Sequence, residues 1–377
     1  MDRKMSIEII GMIGTTSGSE SLGSRGPAID LTYLERFIDV HERSHFDRVL
    51  IGYSASSPDG FAIAAHTLNR TKDLKVLIAH RPGFVQPTLV ARKLATLDHL
   101  SGGGRVAIHH ISGGSEADQH RDGDYVDKIG RYRRTGEFID VLRKTLASAD
   151  PFDHKGEFYQ FTGAFSAVKP ASDVGIPIFF GGQSEAAVET GAQHTDVFML
   201  FGEPLAATAE RIALIREKAA QHGRTIEFSL STRPIIGDTE EAAWQRAAQI
   251  YADAEKVKES GSPDLLFGRK LTGESNAVSA ARLQEHAQRG DVQDERLWLG
   301  ITRLVGAGGN STAPVGTAAQ VAESLLKYYD LGVTKFLIRG FDPVADVELW
   351  GKELLPLLRS GAQARDHAQL SNERVVA

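Results

Sequence analysis

Arginines end three of the apolar runs that have the composition of buried β-strands. Arg81, Arg233 and Arg339 each lie at or next to the carboxyl end of such a run. In a parallel barrel these ends meet at one mouth, so we expect the guanidinium groups to converge there. Guanidinium groups bind carboxylates and phosphates in paired hydrogen bonds. For any single arginine, pairing with a structural carboxylate is an equally good interpretation, but the cluster favours an anionic ligand.

Two adjacent histidines occur in AIHHISGGS, residues 107–115. Successive strand residues point to opposite faces, so only one of His109 and His110 can face a barrel interior. The pair is therefore no two-ligand metal site, and the chain has neither HExxH nor cysteine to complete one. We predict no metal. The outward histidine should be a packed, hydrogen-bonded core residue, and His109 or His80 could handle protons.

Two predicted helix starts could hold a phosphate. FFGGQSEAA places Gly182 and Ser184 between a strand and a helix, where free backbone N–H groups suit an anion. Lys128 and Tyr132 lie one turn apart at the start of another helix, on the same face. For Ser184 alone, a simple helix cap is the better interpretation. Together the four residues form a plausible phosphate clamp.

These residues depend on eight apolar runs that alternate with helical patterns. The runs predict strands at 7–14, 48–53, 74–81, 105–111, 177–182, 197–202, 227–233 and 335–340. The helical segments are 30–46, 61–71, 87–101, 131–148, 184–193, 204–223, 239–260 and 344–360. Continuous apolar strands, each followed by a helix, predict an α/β fold of the TIM (β/α)8 barrel type.

Departures from this repeat are local. A hairpin is predicted at 152–161, and the long segment 261–316 is predicted to be an insertion, or lid, before the last strand. Residues 361–377 read as a loose polar tail. We interpret residues 1–377 as a single domain, because barrels of this type often exceed ordinary domain lengths.

Composition excludes several classes of function. The 377 residues carry a net charge of −6 and contain no cysteine, which argues against nucleic-acid partners, disulfides and thiolate catalysis. No signal peptide or membrane span is evident, so we expect a cytoplasmic protein without a membrane partner. No GxGxxG follows a strand and no Walker sequence or GxSxG elbow occurs.

Several stretches resemble one family, the bacterial luciferase-like flavin monooxygenases, in their alkanesulfonate monooxygenase branch. The strongest is RPGFVQPTLVARKLATLDHLSGGGRVAIHHISGGS at 81–115, supported by FFGGQSEAA and KAAQHGR. The resemblance extends over roughly residues 7 to 358 and implies a TIM barrel with an insertion before its last strand. It also implies reduced FMN as cofactor, supplied by a separate NAD(P)H-dependent flavin reductase, and O₂ as co-substrate.

The resemblance also implies site residues. By position, the flavin contacts would be Asp59, His80, Ser112, Lys128, Tyr132 and Ser184. The substrate side differs from the family pattern, with Ser57 in place of a cysteine and Phe201 in place of a tryptophan. Arg303 lies just upstream of the altered glycine-rich lid sequence. We expect Ser57, Phe201, Arg303 and Arg339 to line the substrate site.

The resulting hypothesis is a two-component monooxygenase that oxidises an anionic organosulfur substrate, with C–S cleavage and release of sulfite as one outcome. Arg233 would bind and stabilise negative charge, and His109 would manage protons. Relatives form homodimers or homotetramers, and the same is expected here. Two alternatives remain open: a deazaflavin-dependent oxidoreductase on the same fold, and a non-catalytic flavin-binding protein.

Overall fold

The computed structural model describes residues 7–112, 115–260, 263–264, 269–270, 278–306 and 310–376. Eight parallel strands close into a barrel in the order β1-β8-β7-β6-β5-β4-β3-β2. Their bounds are β1 Glu8–Ile13, β2 Arg48–Ile51, β3 Lys75–His80, β4 Val106–His110, β5 Ile178–Gly181, β6 Val197–Phe201, β7 Glu227–Thr232 and β8 Val333–Ile338. The predicted TIM barrel is confirmed, and each predicted strand occurs with ends shifted by a few residues.

Helices surround the barrel. Their bounds are α1 Leu31–Arg43, α2 Gly60–Arg70, α3 Pro87–Leu100, α4 Glu116–Arg121, α5 Lys128–Ala147, α6 Glu185–His194, α7 Leu205–Gln221, α8 Glu240–Glu259, α9 Val278–Arg289, α10 Gly300–Val305, α11 Ala318–Asp330, α12 Pro343–Glu353 and α13 Leu355–Val376. Several begin at a residue whose side chain accepts a backbone N–H: Asp30, Asp59, Asp127, Ser184, Thr239 and Thr317. Such caps satisfy otherwise free N–H groups and fix where each helix starts.

The alternation of side chains along each strand produces two apolar layers. One set packs outward against the helices, as Ile9, Ile78 and Phe228 do. The other fills the barrel interior, where Ile10, Leu77, Ala107, Phe179 and Leu337 pack together. These interior residues close the lower part of the barrel, so a ligand site belongs at the carboxyl ends of the strands.

The insertion before β8 has structure of its own. A four-stranded sheet joins short strands in the order 235–236, 313–316, 297–298 and 292–293. Trp298, Ile301 and Val315 pack against the α8 residues Ala243 and Ala247. α11 then leads into β8; the sequence interpretation missed this helix, although Thr317 and Gln320 form a capping box at its start.

The loose tail predicted for 361–377 is wrong for its described part, because α13 continues to Val376. Leu355, Leu358 and Ala362 repeat at helical spacing and are buried. Polar residues then bind α11: the Tyr329 hydroxyl donates to Asp366 at 2.6 Å, and Arg365 pairs with Asp330 at 2.9 Å. Helical structure thus persists because a neighbouring helix supplies partners for a polar sequence.

Two further features were expected. The hairpin predicted at 152–161 is present as antiparallel strands Phe152–Lys155 and Gln160–Ala164. Within the described residues, no helix is long and apolar enough to cross a membrane.

Candidate active site at the carboxyl ends of the barrel strands

The arginines that follow β7 and β8 share one carboxylate. Arg233 Nη1 donates to Glu20 Oε2 at 2.6 Å, and Arg339 Nη2 donates to Glu20 Oε1 at 2.7 Å. Arg233 is 1% exposed, stacks on the Phe341 ring at 3.6 Å and donates to the Gly340 carbonyl at 2.8 Å. We call Glu20, Arg233 and Arg339 the arginine cluster.

The charges of the arginine cluster shift the pKa values of Glu20 and Arg233. Burial acts to raise the pKa of Glu20, but the charges of Arg233 and Arg339 outweigh it and lower the pKa to about 2. Burial and the neighbouring Arg339 lower the pKa of Arg233 to about 10. Two cations and one anion leave the three side chains with a net charge of +1. Arg339 Nε is buried and has no hydrogen-bond partner within the described residues.

Glu20 corrects the expectation that both arginines are free for a ligand. It lies in the loop after β1, where short strands Ser17–Ser19 and Gly23–Arg25 pair, and Ser19 donates to the Phe341 carbonyl at 2.5 Å. No local pattern marked Glu20, because its partners are 213 and 319 residues away in sequence. The alternative of pairing with a structural carboxylate holds for both arginines.

The other two candidate arginines are also paired. Arg81 lies 3.2 Å from Asp118 and 3.0 Å from Asp122, with its guanidinium over the Tyr53 ring. Arg303, with a 52% exposed side chain, pairs with Asp291 at 2.5 Å. Arg303 thus has a carboxylate partner within the insertion, and its place in the substrate site stays a prediction.

His109 faces the barrel interior. It shares the strand face of Ala107, which belongs to the interior packing cluster, and it pairs in register with Phe179 of β5. Burial lowers the pKa of His109 to about 4, partly opposed by a hydrogen bond with the backbone of Phe179. Its Nδ1 has no partner within the described residues. The imidazole is therefore neutral near pH 7 and has one nitrogen available.

His80 and His110 lie outside the barrel wall. Their rings are 5.5 Å apart, and each is 5.2 Å from the Phe138 ring of α5. The predicted flavin contact at His80 is wrong here, because the alternation of side chains turns His80 toward the helices. His110 is packed as expected, but it is not hydrogen bonded: all four ring nitrogens of the pair lack partners among the described residues. Burial is the main reason that the pKa of His80 falls to about 3.

Two of the four predicted clamp residues, Gly182 just after β5 and Tyr132 of α5, lie close together. Gly182 has φ +155°, and a Cβ added there would lie 2.6 Å from Ala187 Cβ and 3.7 Å from Tyr132 Oη. Ser184 caps α6 and accepts from the Ala187 N–H at 3.3 Å. Lys128 is the first residue of α5 and, among the described residues, its ammonium has no ion pair. We call Lys128, Tyr132, Gly182 and Ser184 the clamp.

Three predicted contacts have local partners. Ser112 Oγ is 2.9 Å from Thr135 Oγ1 on α5, which places it near the clamp. Asp59 caps α2 by accepting from Ala62 at 2.8 Å. Ser57 Oγ accepts from the Ser54 N–H at 2.9 Å and stays within its own loop. Asp59 and Ser57 thus have the roles of a cap and a turn residue in this structure.

Phe201 lies beneath the insertion. It ends β6 and packs against Ala280 and Leu283 of α9. Two residues on, Glu203 is 2% exposed and accepts from Arg282 of the same helix and from Gln183. The sequence interpretation missed Glu203 and Arg282, since the register that joins α9 to the barrel has no local signature. Among the described residues, no three potential metal ligands converge.

Eight parallel strands closed into a barrel, with polar side chains at their carboxyl ends, define the TIM-barrel class, in which enzymes have their active sites at that end. Residues 9–335 match the family model of luciferase-like monooxygenases. The chain therefore belongs to the luciferase-like monooxygenase family, whose members are flavin-dependent oxidoreductases.

Solved structures agree on the fold. An EDTA monooxygenase from Chelativorans sp. BNC1 is 19% identical with a TM-score of 0.74, covering 94% of each chain. A riboflavin lyase with modified FMN and riboflavin is 18% identical with a TM-score of 0.73, covering 94% of this chain and 92% of that one. An F420-dependent secondary alcohol dehydrogenase is 18% identical with a TM-score of 0.65, covering 94% and 100%. At such identities these similarities establish the fold only.

Proposed function

We propose that this protein is a two-component monooxygenase that uses reduced FMN and O₂ to oxidise an anionic organosulfur substrate, as in the alkanesulfonate monooxygenase branch. The observation that carries the proposal is the clamp: an unpaired lysine and a tyrosine beside a glycine and a capped helix start, in a barrel of this family. Release of sulfite by C–S cleavage is the outcome we would test first.

The clamp fits a phosphate group. A Cβ at Gly182 would lie 2.6 Å from Ala187 Cβ, so only glycine lets the backbone turn into α6 this close to the Tyr132 hydroxyl. The free N–H groups at the start of α6 add a partial positive charge, and Lys128 adds a full one. Ser112 is within reach of the same region through Thr135. These residues would hold the phosphate of FMN, and reduced FMN when bound would supply the electrons that activate O₂.

The arginine cluster would attract the substrate. Its net charge of +1 lies at the carboxyl ends of β7 and β8, and Arg339 Nε is its unpaired donor. Arg233, with its donors on Glu20 and the backbone, would hold Arg339 and Glu20 in place rather than contact the substrate. Phe201 would supply an apolar wall and exclude water from the site.

His109 would hold the mobile proton. The ring is neutral and its hydrogen bond to the Phe179 backbone uses the other nitrogen as donor, so the unpaired Nδ1 can accept a proton or a hydrogen bond from a bound group. This role supports the catalytic assignment of His109 over His80, which is separated from the interior by the wall.

The remaining parts of the proposal concern the organisation of the system. A separate NAD(P)H-dependent reductase would supply the reduced flavin, since the chain has no dinucleotide-binding GxGxxG. We propose one domain over 1–377, assembly as a homodimer or homotetramer, a cytoplasmic location, and no nucleic-acid or metal partner.

An anaerobic titration tests the proposal. The full-length protein is titrated with reduced FMN, oxidised FMN and reduced deazaflavin, and oxygen is then admitted with a panel of organosulfonates while sulfite is measured. Preference for reduced FMN together with oxygen-dependent sulfite supports the proposal. Preference for deazaflavin favours the hydride-transfer alternative, and flavin binding without any product favours a binding protein.

A further inference from the structure

A buried carboxylate joins the insertion to the loop that starts α6. Glu203 follows β6, and Arg282 of α9 reaches it with two donors, Nε at 3.0 Å to Oε1 and Nη2 at 2.8 Å to Oε2. On its other side, Gln183 Nε2 donates to Glu203 Oε1 at 2.9 Å. Gln183 lies in sequence between Gly182 and Ser184, which are both clamp residues.

The guanidinium of Arg282 neutralises the carboxylate of Glu203, which is buried. Burial acts to raise the pKa of Glu203, but hydrogen bonds and charge from Arg282 outweigh it, so that the pKa lies below its ordinary value. The Tyr328 hydroxyl donates to the Glu203 carbonyl at 2.8 Å and fixes the backbone. A buried carboxylate that loses its arginine is left uncompensated, so α9 cannot leave this position without a large cost.

The same contact fixes the orientation of Gln183. A carboxylate only accepts hydrogen bonds, so the amide nitrogen must face Glu203 and the amide oxygen must face away. That oxygen, Oε1, is buried and without a partner among the described residues. Buried acceptors without partners are rare in proteins, which points to a donor that arrives with a bound molecule.

We propose that Arg282, Glu203 and Gln183 form a relay that couples docking of α9 to occupation of the clamp, with Gln183 Oε1 accepting a hydrogen bond from a hydroxyl next to the bound anionic group. The inference rests on the proposed function, because it takes the clamp as the site of the FMN phosphate. Coupling of this kind is reciprocal: whatever docks α9 tightens binding at the clamp by the same factor.

The main experiment compares two arginines of α9. Arg282→Met breaks the relay, whereas Arg289→Met removes an exposed arginine whose ion pair, among the described residues, is with Glu285 on the same helix. Hydrogen exchange of α9 and the Kd for reduced FMN are measured on full-length protein under anaerobic conditions. We expect Arg282→Met to speed exchange in α9 and to weaken FMN about tenfold, within the usual range of coupling, and Arg289→Met to leave both unchanged.

A second variant separates the two halves of the relay. Gln183→Met keeps the Arg282–Glu203 pair but removes the amide. We expect near-wild-type exchange in α9 together with an FMN affinity lowered about tenfold. Riboflavin, which has the ribityl hydroxyls of FMN but no phosphate, serves as a second probe and should be weakened by Gln183→Met about as much as FMN is.

The possible failures are distinguishable. If the wild type binds reduced FMN and Arg282→Met loosens α9 without changing that affinity, the relay is overturned while the proposed function stands. Unchanged exchange in α9 of Arg282→Met also overturns it. If the wild type binds no FMN at all, the proposed function fails, and the coupling proposal fails with it.

Discussion

The two sides of the barrel mouth treat charge differently. At β1, β7 and β8 the cations are paired internally, with Glu20 between Arg233 and Arg339. On the side of β5, the clamp residue Lys128 has no ion pair among the described residues and is the first residue of α5, the helix that also carries Tyr132. The charges of Arg233 and Arg339 are partly neutralised by Glu20, whereas the charge of Lys128 has no such partner among the described residues.

This difference shows why residue type alone misleads. Arginines at strand ends read as a ligand site, yet the arginine cluster is largely a structural ion network because a distant carboxylate enters it. The glycine, the capping serine and the lysine of the clamp were read as a phosphate site, and among the described residues no carboxylate pairs with that lysine. Pairing decides which charges are available, and pairing depends on tertiary contacts.

Glu20→Gln should have the largest effect on stability. Removing the carboxylate charge leaves two buried guanidinium groups facing each other, at a cost of about 3–5 kcal/mol in the free energy of unfolding. Chemical denaturation measures the change. Glu227→Gln is the control, because that carboxylate is 57% exposed and should change stability by less than about 0.5 kcal/mol. Equal losses in both variants would refute a special role for the arginine cluster.

Acid should destabilise the barrel through its buried histidines. The folded pKa values of His80, about 3, and His109, about 4, lie below that of an exposed histidine. The unfolded chain therefore binds more protons, so stability is full above about pH 6.5 and falls as pH drops toward 4. At pH 5 each such histidine costs about 2 kcal/mol. Glu20, with a pKa of about 2, acts only below about pH 4.5.

Denaturation midpoints from pH 7 to 4 measure this dependence. His80→Leu should reduce the loss of unfolding free energy between pH 7 and 5 by about 2 kcal/mol, the contribution of one buried histidine. Replacing the exposed His120 with Leu should leave the pH dependence of the midpoint unchanged. A wild-type curve that is flat down to pH 4.5 would contradict the assignment of buried, neutral histidines.

Lys128→Met should weaken a ligand and spare the fold. Loss of the unpaired ammonium is expected to raise the Kd for reduced FMN about tenfold, or about 1.4 kcal/mol, and to leave stability within about 0.5 kcal/mol. Lys155→Met, at an exposed position on the hairpin, provides the matched charge control. If both variants bind FMN like the wild type, the clamp does not hold the phosphate.

Arg303→Met should have the smallest effect. Its guanidinium pairs with Asp291 at a half-exposed position, and such pairs contribute less than about 1 kcal/mol. We therefore expect an unchanged KM for the substrate in steady-state assays. A large rise in KM would place Arg303 in the substrate site after a rearrangement of α10. It would also show that an arginine with a carboxylate partner can still bind the ligand.

Most of the fold could be predicted because its signals are local. Eight apolar runs and their helices repeat in sequence, and strands buried on both faces read as continuous apolar stretches. Two helices were not predicted. α11 follows an irregular insertion, and the later part of α13 is polar and depends on α11 for its hydrogen-bond and ion-pair partners.

The sequence by itself determined the barrel, the fact that His109 and His110 face opposite sides of the wall, and the helix starts of the clamp, because strand alternation and helix capping act over a few residues. Only the tertiary structure decided that Glu20 occupies the arginine cluster and that Arg282 reaches Glu203. Those contacts join residues that are far apart in the chain. Their formation depends on how the whole barrel closes, and no local pattern encodes it.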